Sequence, residues 1–75
     1  MTEKTLTERE STVLYYLTQS LTNKEIAEIL NVTHHTIKAH ISSILEKLGC
    51  KNRTDAALFA HKNNLFIRHP DLKLP

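Results

Sequence analysis

One cysteine, one glycine, two prolines and no tryptophan stand among 75 residues, and each scarcity removes a class of protein. The lone Cys50 excludes an intrachain disulfide, and no Cys/His spacing supplies a structural zinc site. A single thiol fits a reducing compartment, as a small core filler or, on the alternative reading, a redox sensor. No apolar run approaches the ~20 residues of a membrane span. The N-terminus lacks a basic start followed by an apolar core, so no signal peptide is expected and the expected location is the cytoplasm. No glycine loop can cradle a phosphate, no Ser/His/Asp or Cys/His pair has support, and a chain this short offers no deep pocket. Neither an enzyme nor a cofactor is therefore expected. With so few breakers and no strand-like alternation, the chain reads as an all-α domain. Burial is limited at this size, so its helices must pack well.

What is present is a run of helix starts and stops. Thr7-Glu8-Arg9-Glu10 is a capping box, with Leu6 placed to staple onto the first turn. The helix behind it should run from Glu8 to about Gln19 and bury Val13, Leu14, Tyr16 and Leu17. Thr22-Asn23-Lys24-Glu25 is a second box, followed by Ile26, Ala27 and Leu30 on one side. Asn31 tolerates a left-handed backbone and should end that helix, with Val32 plugging the turn. Thr33 caps a third helix, 34–48, whose buried stripe is Ile37, Ile41, Ile44, Leu45 and Leu48, and Gly49 stops it. Asn52 caps a fourth helix through Ala56, Ala57 and Ala60, which Asn63-Asn64 should end. The expected architecture is a four-helix bundle containing a helix-turn-helix. The domain spans 1–65, with its core in 6–65. A tail, 66–75, follows; the apolar Leu65, Phe66 and Ile67 suggest at most a short docked segment and then disorder.

Charge and surface point to double-stranded DNA. The net charge is only +2, but it is unevenly placed. Residues 31–53 carry Lys38, Lys47, Lys51 and Arg53 against Glu46 alone, whereas residues 1–30 are net acidic. Phosphate binding wants positive charge on and after the third helix. Opposite that helix's apolar stripe lie His35, Ala39, Ser42 and Ser43, flanked by Thr36 and Lys38. Ala39 lets the helix enter a groove without collision and can meet a thymine methyl; Lys38 can reach guanine O6/N7 or a phosphate. Three helix N-termini, at Thr22, Thr33 and Asn52, could receive backbone phosphates, with Lys24, Lys51 and Arg53 nearby. His34, His35 and His40 lack the i, i+4 spacing of a helical metal chelate. His34 and His35 open the reading helix. His40 lies at the stripe's edge, as a packed histidine or a phosphate contact. Leu58 and Phe59 fall away from the buried alanines and form a small apolar patch suited to a dimer seam.

Several of these motifs together carry a resemblance. Leu6-Thr7-x-Arg9-Glu10, Thr22-Asn-Lys-Glu-Ile-Ala27, Thr36-Ile-Lys-x-His40, Lys47-Leu48 and Asn52-Arg53-Thr54-x-Ala56 resemble the LuxR/NarL/GerE type of bacterial transcription regulator, over about Leu6 to Leu65. The resemblance implies a four-helix domain whose third helix enters the major groove and whose fourth forms a homodimer contact on DNA. It implies base reading by Lys38, Ala39 and Ser42, and phosphate contact by Lys51 and neighbouring cap residues. Most members carry this domain behind a receiver or ligand-binding domain, as response regulators do, and a few stand alone. Two positions depart from the pattern: Ser42 replaces a lysine of NarL-like sequences, and Ser20 stands where glycine is usual. Two other readings compete. A sigma-factor-like promoter-binding region would have an arginine-rich stretch after the third helix, and here Ser42-Ser-Ile-Leu-Glu-Lys-Leu48 follows instead. A helical protein-interaction module would tolerate acids on the reading face, where Lys38, Ala39 and Ser42 stand.

Overall fold

The computed structural model describes residues 5–63, which form four helices: α1 Glu8–Thr18, α2 Asn23–Leu30, α3 His34–Leu48 and α4 Arg53–Asn63. No strand occurs among the described residues, and none of the helices is long and apolar enough to cross a membrane. Each helix starts where a polar side chain meets free backbone N–H groups. Thr7 Oγ1 accepts from the Glu10 N–H at 3.1 Å, while Glu10 Oε1 accepts from the Thr7 N–H at 2.9 Å. Thr22 and Glu25 repeat this box at 3.1 and 2.8 Å. Thr33 Oγ1 accepts from the Thr36 N–H at 3.2 Å, and Asn52 Oδ1 from the Asp55 N–H at 2.9 Å.

The stops of α1, α2 and α3 share one device. A residue in the left-handed region follows each helix: Ser20 at φ +64°, Asn31 at +58° and Gly49 at +67°. The next amide then folds back over the last turn. Leu21 N–H donates to the Tyr16 carbonyl at 3.3 Å, Val32 to Ala27 at 3.0 Å and Cys50 to Leu45 at 3.0 Å. These bonds satisfy carbonyls that the helix leaves open, in the Schellman arrangement. Asn31 and Gly49 behave as their residue types predict. Ser20 adopts the same backbone without that preference, one that glycine would take without strain.

Helix α1 is the centre of the bundle. Glu10 through Leu17 are all buried, and the helix packs on both α3 and α4, while α2 packs on α3. Val13, Leu14, Tyr16, Ile26, Ile37 and Ile44 are buried completely. Ala56 and Ala60 are fully buried too, and their small side chains let α4 lie close to α1. Leu45 and Leu48, expected inside, are half-buried at the margin of the core, beside Leu30, Val32 and Cys50. Burial, then the charge of Asp55, push the Cys50 thiol above its ordinary pKa. That favours the thiol over the thiolate and fits a core filler rather than a redox sensor. Helix α4 is described through Asn63, and the expected end at Asn63-Asn64 falls at the edge of the described residues. The expectations for the tail, with Leu65, Phe66 and Ile67, lie outside them.

Candidate nucleic-acid interface

The two capping boxes, the left-handed Asn31 and the Thr33 cap set α2 and α3 as a helix-turn-helix. Along the first half of α3, His34, His35, Lys38, Ala39 and Ser42 are exposed, and Thr36 and His40 are half-buried on the flank. The His34 and His35 rings lie 4.3 Å apart. This face is open and carries no acid until Glu46. Thr36 Oγ1 lies 3.2 Å from Thr33 Oγ1, which keeps both hydroxyls at the helix start.

The four helix N-termini are not equivalent. The first turns of α1, α2 and α4 contain Glu8 and Glu10, Glu25, and Asp55, whereas the first turn of α3 contains no acid. A carboxylate in the first turn already offsets the positive end of a helix dipole. No carboxylate in its own first turn offsets the end at Thr33, whereas the one at Thr22 is offset by Glu25. Thr22 and Lys24 are exposed at the start of α2, and Lys51 and Asn52 are exposed before α4.

Three side chains sit differently from the sequence reading. Arg53, expected near phosphates, turns inward: Nη2 donates to the Leu21 carbonyl at 2.6 Å and Nη1 to Asn23 Oδ1. It ties α4 to the link between α1 and α2. Ser43, expected on the open face, is half-buried and donates to Glu10 Oε2 at 2.7 Å. Lys47, counted with the free positive charge, pairs with Glu10 Oε1 at 2.7 Å and also donates to the Thr5 carbonyl at 3.2 Å. Ser43 and Lys47 lie four apart and so share the flank of α3 that faces α1.

The partners of the Glu10 carboxyl on α3 are what the sequence pattern does not show. The pattern Thr7-x-x-Glu10 shows this residue only as a cap. Glu10 is 5 % exposed. Burial pushes its pKa up, but hydrogen bonds from Lys47, Ser43 and the Thr7 N–H, with the Lys47 charge, outweigh burial and hold it at about 2. A signal was available. Glu10 stands at i with Val13, Leu14 and Leu17 at i+3, i+4 and i+7, so it belongs to the buried stripe, where a carboxylate requires partners.

Leu58 and Phe59 are 59 % and 40 % exposed, as expected of a free patch on α4. Beside Leu58 an open groove of about 490 Å³ runs between the end of α1 and α4, lined by Leu17, Thr18, Ala57 and His61 among others.

Comparison with known proteins agrees with this geometry. The family model for bacterial regulatory proteins of the luxR family matches residues 4–60. The transcriptional regulatory protein LiaR of Bacillus subtilis is 47 % identical over 62 residues, covering 83 % of this chain and 29 % of that protein. The nitrate/nitrite response regulator NarP of Escherichia coli is 47 % identical over 53 residues, covering 71 % of this chain and 25 % of NarP. The chain thus spans less than a third of the length of these relatives. Among solved structures, the crystal structure of a phage VqmA–DPO complex superposes with a TM-score of 0.77 at 34 % identity, covering 87 % of this chain and 30 % of that one. The chain belongs to the luxR family of bacterial regulatory proteins, and its four helices are that family's helix-turn-helix DNA-binding domain.

Proposed function

We propose that this domain recruits a bacterial transcription regulator to specific operators by laying the N-terminal half of α3 in the major groove. Lys38, Ala39 and Ser42 read base edges. The open α3 N-terminus, with Thr33, His34, His35, Thr36 and His40, receives backbone phosphates. Thr22 and Lys24 on one side and Lys51 and Asn52 on the other anchor the flanking phosphates. Arg53 acts through the fold, holding the start of α4 in place. The observation that carries this reading is the exposed, acid-free first half of α3. A helix N-terminus without an internal carboxylate and with a small residue on its open face suits close approach to a phosphate-lined groove.

One reading helix covers only a few base pairs, and paired half-sites lie about 10 base pairs, roughly 34 Å, apart. Two copies therefore pair through Leu58 and Phe59 on α4. The patch is small beside the ~1,200 Å² of a stable interface, so DNA holds the two copies together. The relatives LiaR and NarP are named as regulators, and their greater length supports a receiver or ligand-binding domain preceding this one in a cytoplasmic response regulator.

Titrating a duplex at rising salt tests the contact model. Each neutralised phosphate adds about −0.9 to the log–log slope. Lys51→Ala should weaken all duplexes alike and reduce the slope by about one. A flat salt response would overturn the backbone contacts.

A further inference from the structure

We propose that Glu10 is a positioning residue for base reading: from α1 it grips Ser43 and Lys47 and fixes the rotation of α3 about its own axis. This rests on the reading of Lys38, Ala39 and Ser42 as base contacts.

The grip is directional. Ser43 Oγ donates to one carboxylate oxygen at 2.7 Å, and Lys47 Nζ donates to the other at 2.7 Å. The carboxylate is itself pinned, because that second oxygen also accepts from the Thr7 N–H at 2.9 Å. Lys47 further reaches the Thr5 carbonyl at 3.2 Å, so the segment leading into α1 shares the contact. The apolar driving force is non-directional, so the core fixes the rotation of α3 through shape alone. Of the apolar stripe, Ile37, Ile41 and Ile44 are buried, but Leu45 and Leu48, near the strut, are only half-buried. Charge-assisted hydrogen bonds at two points one turn apart on α3 supply the missing orientation.

Rotation matters because the reading side chains project far from the axis. The helix with its side chains has a radius of about 5–6 Å, so a 20° turn, taken as an illustrative estimate of roughly that size, sweeps a side-chain tip by about 2 Å. Hydrogen bonds to base edges tolerate only about half an ångström around their preferred distance. Ser43 is the immediate neighbour of Ser42, so a change at the strut passes directly into the reading face.

The test compares affinity for a preferred duplex, selected from random DNA, with affinity for the same duplex carrying one changed base pair. Wild type, Glu10→Gln, Ser43→Ala, their double variant and Lys38→Ala are measured over the same series of salt concentrations and at a temperature where each is folded by circular dichroism. Glutamine retains the cap acceptor but removes the charge. The preferred-to-changed affinity ratio should fall about three- to tenfold in Glu10→Gln, the size expected of coupled neighbours. It should fall less in Ser43→Ala, and the double variant should be no worse than Glu10→Gln alone. The salt slope should not move. A role confined to stability would lower the melting temperature and leave the ratio unchanged. If Lys38→Ala keeps the wild-type ratio, the base-reading assignment itself fails. If Lys38→Ala lowers the ratio while Glu10→Gln and Ser43→Ala preserve it, the strut is overturned. Should Glu10→Gln not fold, Ser43→Ala, which leaves the cap and the ion pair in place, decides the question by the same ratio.

Discussion

Acid should destabilise this domain through one carboxyl. Glu10 is held at about 2 in the fold against an ordinary value of 4.5. A lowered carboxylate pKa contributes stability that is fully present above the unfolded value and lost as pH falls through the folded one. The window therefore runs from about pH 4.5 down to about 2. At 1.36 kcal/mol per unit, the contribution is about 3 kcal/mol. Glu10 is 5 % exposed but its partner Lys47 keeps 26 % of its side chain exposed, so solvent screening makes this figure an upper bound. In a domain of this size, about 3 kcal/mol is a large part of the total stability. Urea unfolding of wild type and Glu10→Gln at pH 7, 4.5, 3 and 2 isolates the effect, because glutamine resembles the protonated acid. The two curves should be separated by up to about 3 kcal/mol at pH 7 and converge towards pH 2. In thermal scans at pH 7 the gap should be at most roughly 10–25 °C, at 4–8 °C per kcal/mol. Parallel curves at all four pH values would refute the assignment of the ion pair and its hydrogen bonds to Glu10.

Other substitutions probe separate parts of the fold. Ser20→Gly should stabilise by about 0.5–1 kcal/mol in denaturant unfolding, since the left-handed backbone strains serine and glycine's entropy cost offsets only part of that strain. Gly49→Ala should cost about 1 kcal/mol although a methyl there would meet nothing within 4 Å, which makes it a measure of backbone strain alone. The buried Tyr16 hydroxyl has no hydrogen-bond partner among the described residues, so Tyr16→Phe should be neutral or stabilising by up to about 1 kcal/mol, against the loss of similar size expected of a bonded hydroxyl. Leu58→Asp should leave melting and single-site binding intact and abolish cooperative binding to a two-site duplex in gel-shift titrations. Undiminished cooperativity would place the pairing surface elsewhere.

Local chemistry was legible in the sequence and long-range chemistry was not. The starts at Thr7, Thr22, Thr33 and Asn52, and the stops at Asn31 and Gly49, depend on residues within one turn, and the structure has them where the pattern predicts. Ser20 escaped because its left-handed backbone is imposed by the chain reversal between α1 and α2, against its residue type. Ser43 was misplaced because the stripe shows where the core lies but not how widely α3 is covered on each flank. Lys47 and Arg53 looked like free cations, since their partners stand 37 and about 30 residues away. Glu10 combined both cases: its cap was local, and its grip on α3 became visible only when α1 and α3 came together.

The account's central claim is that α3 reads bases through Lys38 and its neighbours while Lys51 anchors phosphates. Selection of bound duplexes from random DNA by wild type, Lys38→Ala and Lys51→Ala tests it most directly. Wild type should return a defined motif, and Lys51→Ala should return the same motif at weaker overall affinity. Lys38→Ala should lose preference at one or two positions, about 1–3 kcal/mol of discrimination for a lysine–guanine contact. A motif unchanged by Lys38→Ala, or erased equally by both substitutions, would contradict the assignment of base reading to α3.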